Sequence, residues 1–290
     1  MKTYLDCYPC FFKQTLKTSR LITSDEKKIR QILAEVSITL PTLSLDATPP
    51  EIGKEVYRII SQMTGVDDPY KEIKDTCTRQ ALSLYPRMKT WIDSSKDGLM
   101  TAVRLSIAGN IIDFGAQADF NLEEDIHKIL SQDFAINHYR DLCGDLAKAE
   151  RILYVADNAG ETVFDRLLIE EIGKPVIYAV RESAVINDAT LEDAILSGVN
   201  EVAEIISSGC DAPGTILRLC SEEFLNIYRS ADVVISKGQG NYEGLSGEKG
   251  PIYFLLKAKC PVIAQDIGIQ DGSIVLMKAN KANKARKGSR

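Results

Sequence analysis

The sequence predicts an α/β protein in which an all-helical N-terminal bundle precedes a domain built on a mostly parallel sheet. Up to about residue 148, apolar residues recur at helical spacing, and no strand-like alternation is present. From Arg151 onward, short β-branched runs alternate with helical segments, which is the pattern of successive βαβ units. We therefore expect a helical domain over residues 1–148, an α/β domain over 149–278 and a basic flexible tail over 279–290.

The first half carries a series of amphipathic helices. Apolar residues at helical spacing predict one helix that ends before Pro41 and another that runs from about Glu51 to Met63. Two further helices are expected over residues 70–84 and 97–113, separated around Pro86, because proline interrupts helical hydrogen bonding.

The second half is predicted to contain a series of short strands. They are expected at residues 152–156, 176–180, 202–206, 232–236, 261–264 and 273–277. The helix between the first two strands should begin at Thr162 and end before Gly173. The apolar run Ile252–Lys257 fits either a strand or a helix, because its periodicity does not decide between them.

The composition of the 290-residue chain excludes several functional classes. Hydrophobic residues make up 44% and charged residues 26%, which is ordinary for a globular protein. The net charge of −6 at pH 7 gives no reason to expect nucleic-acid binding, which requires a basic surface. The chain has no apolar run near the ~20 residues of a membrane span, and no apolar signal-peptide core at its start. We therefore expect a cytoplasmic protein with neither a membrane nor a nucleic acid as partner; oligomeric state does not follow from composition.

Two of the seven cysteines form a Cys-x-x-Cys motif, Cys7 and Cys10, at the start of the bundle. A zinc site usually has four ligands, and no second cysteine pair with suitable spacing is present. A thioredoxin-type redox motif would follow a strand, and none is predicted there. Buried structural thiols and part of a second site both remain open interpretations. With two histidines in polar helical segments, a Ser-His-Asp mechanism is not expected.

Oxygen-bearing side chains follow the first predicted strand at its carboxyl end. Asp157 and Asn158 come directly after the strand 152–156, and Glu161 opens the next helix. Carboxylate and amide oxygens are the ligands that Mg²⁺ and Mn²⁺ prefer, whereas the simpler interpretation is that Asp or Asn caps the helix. Asp188 leaves the same sheet edge one crossover later, so that it can supply a second carboxylate to the same cation.

A glycine-rich segment, Ser236–Gly244, follows the predicted strand 232–236. Its glycines allow successive N–H groups to form an anion-binding nest, and Lys237 adds a positive charge. The segment is not a P-loop, because the lysine precedes the glycines. A flexible surface loop is the alternative. From the bundle side, Asn110 and Asp113 lie in an apolar helical segment, where they either cap and bridge or face the same edge.

Four segments together resemble the metal-dependent damage-control phosphatases. The matching segments, in chain order, are Ala108–Asp113, Asp157–Glu161, Arg181 with Asn187–Asp188, and Lys237–Glu243. Cys7 and Cys10 resemble the stand-alone prokaryotic subfamily, and the resemblance spans nearly the whole chain. It implies that the helical domain lies on a Rossmann-like three-layer α/β/α domain. It also implies hydrolysis of phosphate esters of small metabolites such as sugar phosphates, nucleotides or damaged cofactor intermediates.

The resemblance also implies roles for individual residues. Asp157, Asn158 and Asp188 match the ligands of a divalent metal (Mn²⁺, Ni²⁺, Co²⁺ or Mg²⁺), and Asp157 is either a covalent nucleophile or a ligand alone. Glu161 is the carboxylate that would position water or contact substrate. Cys7 and Cys10 are expected to matter for activity. The residues expected to contact phosphate or substrate are Asn110, Gly160, Arg181, Lys237, Gly238, Gln239, Gly240, Asn241 and Glu243.

Two other functions remain compatible with the sequence. One is an S-adenosylmethionine-dependent carboxyl methyltransferase, although the first strand is not followed by the Gly-x-Gly turn that nucleotide-like cofactors usually require. The other is a non-catalytic protein that binds a phosphorylated metabolite in the same cleft. Metal-dependent hydrolysis of a small phosphorylated metabolite is the function that the combined motifs favour.

Overall fold

A computed structural model describes residues 1–110 and 122–279 of the chain. Asp113 and the predicted tail from residue 280 onward lie outside the described residues.

Seven helices precede the first βαβ unit in the described part of the chain. They are α1 (Tyr8–Ile22), α2 (Glu26–Thr39), α3 (Pro49–Thr64), α4 (Lys71–Asp93), α5 (Gly98–Gly109), α6 (Leu122–Ser131) and α7 (Tyr139–Lys148). Helices α1 to α3 share a core of their own, which includes Phe11, Val36 and Ile60. A capping box fixes the start of α3, because Thr48 and Glu51 satisfy each other's backbone N–H groups.

The remaining elements form a seven-stranded sheet with helices between its strands. The strands are β1 (Phe134–Asn137), β2 (Ile152–Val155), β3 (Val176–Val180), β4 (Glu204–Ser207), β5 (Val233–Lys237), β6 (Ile252–Lys257) and β7 (Ile274–Lys278). The helices are α8 (Thr162–Ile172), α9 (Leu191–Leu196), α10 (Glu222–Ser230), α11 (Gly238–Leu245) and α12 (Pro261–Ile267). The sheet order is β1-β7-β6-β5-β2-β3-β4, and every neighbouring pair is parallel except β6 with β7. The predicted α/β class with a mostly parallel sheet is confirmed.

Helices cover both faces of this sheet, which gives three layers. On β2, Ile152 and Tyr154 belong to the core that is shared with α4, α5 and α8. Leu153 and Val155 belong to the opposite core, shared with α10, α11 and α12. All four residues of the strand are buried, as the continuous apolar run predicts for a parallel strand.

Three predictions of secondary structure are wrong. Pro86 does not separate two helices but lies inside α4, where buried packing on the same helix outweighs one missing hydrogen bond. The first half is not free of strands, because β1 pairs with β7; four residues are too short for a clear alternation. Residues 261–264 form the start of α12, with Pro261 in its first turn and Gly268 as a left-handed cap. The undecided run Ile252–Lys257 is the strand β6.

The order of the strands in the sheet indicates where a ligand would bind. From β2 the chain moves to β3 and β4 on one side, and it then returns to β5 on the other side of β2. The carboxyl ends of β2 and β5 therefore form a topological switch point, where ligands of open α/β sheets bind. Among the described helices, none combines the length and the apolarity that crossing a membrane requires.

Candidate active site

Asp157 and Gly238 meet at the switch point between β2 and β5. Gly238 has a positive φ of 77°, and a Cβ atom on it would lie 1.8 Å from Asp157 Oδ2. Only glycine therefore allows the backbone of α11 to begin against this carboxylate. The first N–H groups of α11 point outward at this end of the helix, and they favour negative charge on a bound ligand.

Two amides orient Asp157. Asn110 Nδ2, at the end of α5, donates to Asp157 Oδ2 at 2.7 Å, and Asn158 Nδ2 donates to the same oxygen at 3.0 Å. Both amides also donate to Glu161 Oε1. The structure thus brings Asn110 from the bundle to the sheet edge, where it joins Asp157, Asn158 and Glu161 in one hydrogen-bond network.

Asp188 is fixed at the same edge by Arg181. Arg181 Nε donates to Asp188 Oδ2 at 2.8 Å, and its other nitrogens donate to Thr215 Oγ1 and Asn241 Oδ1, each at 2.9 Å. Asn158 and Asp188 form an isolated antiparallel bridge, which holds the loops after β2 and β3 together. The Arg181 guanidinium therefore positions Asp188, and all three of its nitrogens donate to protein oxygens.

Lys237 occupies a fully buried position behind Glu161. Its Nζ donates to Ser106 O at 2.9 Å, Glu161 Oε2 at 3.1 Å and Asp165 Oδ1 at 2.7 Å. These three bonds use all three hydrogens of the ammonium group. Burial lowers the pKa of Lys237, but Asp165 and Glu161 outweigh it, so that the pKa lies above its ordinary value. The lysine predicted to bind phosphate is thus engaged by two carboxylates.

The site holds more buried negative charge than positive charge. The buried charged side chains around the predicted ligands are Asp157, Glu161, Asp165, Asp188, Arg181 and Lys237. These four carboxylates and two cations leave two negative charges when all are ionised. A third buried cation, Lys74, lies 3.0 Å from buried Asp193, and that pair adds no net charge. Burial, followed by the nearby Glu161 and Asp188, raises the pKa of Asp157 well above its ordinary value. Burial also raises the pKa of Asp188, although Arg181 opposes the shift.

The donor set fits a hard divalent cation. Two negative charges match one such ion, and Asp157, Asp188 and the Asn158 amide offer oxygen ligands of the preferred type. Asn110 Oδ1 is buried beside them and has no hydrogen-bond partner among the described residues. Those residues contain no group of three or more His, Cys, Asp or Glu side chains that could hold a metal. The fit therefore depends on the amide oxygen, and water or substrate would complete the coordination.

A cavity of about 660 Å³ opens onto Asp157, Asn158 and Asp188. Its opposite wall comes from the bundle, and includes Phe11 and Pro50. A second cavity of about 510 Å³ lies beside it on the bundle side. The side chains that line the second cavity include Lys17, Tyr57, Tyr70, Asn110, Asn158 and Glu161, together with the backbone of Gly160. Asn158 lines both, so that the two cavities meet at the predicted ligands.

The Cys-x-x-Cys motif lines the first cavity. Cys7 and Cys10 share its wall with Glu243 and Cys260. Burial raises the pKa of the Cys7 thiol, and the nearby Glu243 and Cys260 add to the shift. Gln239 Nε2 donates to Glu243 Oε1 at 2.9 Å, which joins the glycine-rich segment to this wall. The structure thus places the motif at the site.

Two residues of the glycine-rich segment, Asn241 and Gly240, hold neighbouring parts of the protein together. Asn241 is buried, and its Nδ2 donates to Ala156 O at 2.8 Å and Lys237 O at 2.7 Å, so that it ties β2 to α11. A Cβ atom on Gly240 would lie 2.4 Å from Pro213 O, so the close packing of α11 against the 210–216 loop requires glycine there.

Two residues at the site were not predicted from the sequence. Asp165 lies four residues after Glu161 on α8, a spacing that places both on one helix face and that could have revealed it. Lys259 lines both cavities, but it follows β6, a run that periodicity did not assign to a strand.

The model of one protein family, the damage-control phosphatase ARMT1-like domain, matches residues 3–275. The chain belongs to this family. The damage-control phosphatase PH1575 of Pyrococcus horikoshii is 34% identical over 285 residues, which cover 96% of this chain and 98% of that protein. A damage-control phosphatase of Archaeoglobus fulgidus is 34% identical over 279 residues, covering 93% and 96%. The resemblance inferred from the four motifs is confirmed, and the family supports a phosphatase role.

A solved structure has the same fold. The crystal structure of a DUF89 family protein, PH1575 of P. horikoshii, matches with a TM-score of 0.90 and 34% sequence identity, over 96% of this chain and 99% of that chain. The similarity therefore extends over the helical elements as well as the sheet.

Proposed function

We propose that this member of the family is a metal-dependent phosphatase that hydrolyses phosphate esters of small metabolites. The observation that carries the proposal is the excess of two buried negative charges at the switch point, beside the N-terminus of α11 and open to a cavity. Such an excess favours binding of a divalent cation, and the helix terminus favours a phosphoryl group. The names of two relatives, both damage-control phosphatases, agree with this activity.

Asp157, Asn158 and Asp188 would hold the metal. A divalent metal bound there supplies positive charge that neutralises phosphoryl oxygens and lowers the pKa of a coordinated water. Arg181 keeps Asp188 in place, and Asn110 keeps Asp157 in place through the hydrogen bonds described above.

The remaining residues orient this set and receive the phosphoryl group. Glu161 accepts from the amides of Asn110 and Asn158 and from Lys237, so that it links the ligands to the buried lysine. The backbone N–H groups of Gly238 to Gly240 open α11, and they would donate to the phosphoryl oxygens as negative charge develops. Because the protein is folded around these groups before substrate binds, they require little reorganisation during the reaction.

The proposed substrates are sugar phosphates, nucleotides or damaged cofactor intermediates. The cavity volume of about 660 Å³ lies within the range of about 300–1,000 Å³ that small-molecule sites occupy. A phosphate at the sheet edge would leave the organic part of such a molecule against the bundle wall.

The test is hydrolysis of a panel of sugar phosphates and nucleotides with Mn²⁺, Co²⁺, Ni²⁺ or Mg²⁺, and with a chelator. We expect turnover that requires metal, and a loss of at least about 100-fold in kcat for Asp157→Ala, as is typical when a positioned charged group is removed. The matched control is Asp46→Ala, an exposed loop aspartate. Wild-type turnover by Asp157→Ala at saturating metal would refute the assignment. Binding of phosphate esters without any turnover would instead indicate a non-catalytic binding protein.

A further inference from the structure

Ile186 has a backbone conformation that suits glycine rather than a β-branched residue. Its φ is 48°, and among the described residues it is the one non-glycine residue with a positive φ. In this left-handed region the Cβ atom of an L-residue crowds the following carbonyl oxygen, and a side chain that branches at Cβ increases the crowding. A strained residue of this kind persists only where the surrounding structure fixes it, and such residues concentrate at functional sites.

The surrounding hydrogen bonds fix the turn that contains Ile186. Asp188 N donates to Val185 O at 3.1 Å, which closes a four-residue turn with Ile186 in its second position. Turns with a positive φ at that position favour glycine. Ala159 N donates to Asn187 O at 2.8 Å, which ties the turn to the loop after β2. A glycine would satisfy this backbone without strain, so the turn itself does not require the isoleucine side chain.

The side chain of Ile186 is not part of the hydrophobic core. It is half-buried, yet none of the four apolar clusters formed by the described residues includes it. Instead, Ile186 lines both cavities at the site, and also a third cavity of about 340 Å³ that borders the bundle. Tyr57 and Tyr70 of the bundle line the second cavity with it. Core packing therefore does not offset the strain, and the residue borders the space beside Asp157 and Asp188.

We propose that Ile186 is a specificity-determining residue, whose side chain contacts the organic group of a phosphate ester bound beside Asp157 and Asp188. The inference rests on the proposed phosphatase function, because it concerns the substrate of that same site. An apolar contact at this position favours esters whose organic group presents a ring face or a hydrocarbon segment. Because hydrogen bonds fix the turn, the contact keeps a constant position relative to Asp188, which lies two residues later.

The experiment measures binding of two phosphonates, which cannot be hydrolysed as esters, to the Mn²⁺-loaded protein by calorimetry. Methylphosphonate carries almost no organic group, whereas benzylphosphonate adds an aromatic ring. We expect wild type to bind benzylphosphonate more tightly than methylphosphonate. Ile186→Ala should reduce this preference about fivefold or more, because each buried methylene group contributes roughly fourfold. Its affinity for methylphosphonate should not change. The matched control is Ile38→Ala, which removes an exposed isoleucine side chain on α2.

Urea unfolding of a second variant separates this role from a structural one. At a φ of 48°, Ile186→Gly relieves the backbone strain that Ile186→Ala retains. The glycine variant should therefore unfold at a higher urea concentration than the alanine variant, and it should lose the preference for benzylphosphonate to the same extent. A glycine variant that unfolds at a lower urea concentration than the alanine variant would refute the strained turn.

A wild-type preference in both Ile186 variants would overturn the inference, as would an equal loss of affinity for the two phosphonates. An equal loss of preference in Ile38→Ala, or no phosphonate binding by wild type, would overturn it too. The measurement is separable from turnover. A protein whose preference depends on Ile186, yet which hydrolyses no ester, would retain the contact and refute the phosphatase. A protein that hydrolyses esters, while Ile186→Ala keeps the wild-type preference, would do the reverse.

Discussion

Replacing Gly238 with alanine should damage the site severely, although the substitution adds only one methyl group. The substitution places an L-residue at a φ of 77°, which costs about 1–2 kcal/mol. It also places a methyl group 1.8 Å from Asp157 Oδ2 and 2.2 Å from its Cγ, so that the carboxylate must move. Asp157 Oδ2 would then lose the hydrogen bonds from Asn110 and Asn158, each worth about 1.5–3 kcal/mol. We expect Gly238→Ala to lower the free energy of unfolding by at least about 4 kcal/mol.

A control substitution at a second glycine, Gly65, separates the effect of backbone strain from that of the steric clash with Asp157. Gly65 has a φ of 73°, but no heavy atom lies within 4 Å of the place that an added methyl group would occupy, so that Gly65→Ala should cost only about 1–2 kcal/mol. Urea unfolding of both variants measures the difference. In metal-dependent turnover, Gly238→Ala should lose about 100-fold, because a displacement near 1 Å at a catalytic group has that effect, whereas Gly65→Ala should retain wild-type kcat. Equal stability losses, with unchanged turnover in Gly238→Ala, would refute the close contact between α11 and Asp157.

Two further predictions concern charges near the site. Burial raises the pKa of Glu243 to about 7 from its ordinary 4.5, so that the folded protein holds a proton that the unfolded chain loses between these values. The free energy of unfolding should therefore fall as the pH rises from about 4.5 to 7. In thermal melts over this pH range, Glu243→Gln should show a smaller fall in stability than wild type. Parallel curves of stability against pH for the two proteins would contradict this. Lys237→Met should lower the free energy of unfolding by about 3–5 kcal/mol in urea titrations, because Glu161 and Asp165 lose their buried cation. Adding Asp165→Asn should restore part of that loss, and a double variant that is less stable still would refute the ion pair.

Elements with a clear apolar pattern were predictable from the sequence, and ambiguous elements were not. The continuous apolar runs of β2 and β3, which are separated by a helical segment, indicate buried parallel strands. The four-residue strand β1 has no partner nearby in sequence, because it pairs with β7, some 140 positions later. The apolar residues of 261–264 suit a strand as well as a helix, and only the packing of α12 against the sheet decides.

At the site, the positions of residues just after the strands predicted which side chains lie close together. They did not predict which contacts each side chain makes. Asp157, Asn158 and Asp188 meet because parallel strands bring their carboxyl ends to one edge. The orientation of Lys237 could not be predicted in the same way, because it depends on Asp165 and on Ser106, which belong to other helices. The sequence pattern therefore shows that a lysine is present at the edge, but not whether it faces the cavity or the interior.

The buried ion pairs also determine where the remaining charge of the site lies. Lys237 contacts Glu161 and Asp165, and Arg181 contacts Asp188, whereas no buried cation of the described residues forms an ion pair with Asp157. Of the two uncompensated negative charges, one is therefore shared by Glu161 and Asp165, and the other lies on Asp157, which touches the start of α11 and lines the cavity. A carboxylate that is buried without a counter-ion favours binding of a cation, because the alternative is protonation. Lys237 and Arg181 thus support cation binding indirectly: they stabilise the surrounding carboxylates and leave Asp157 available.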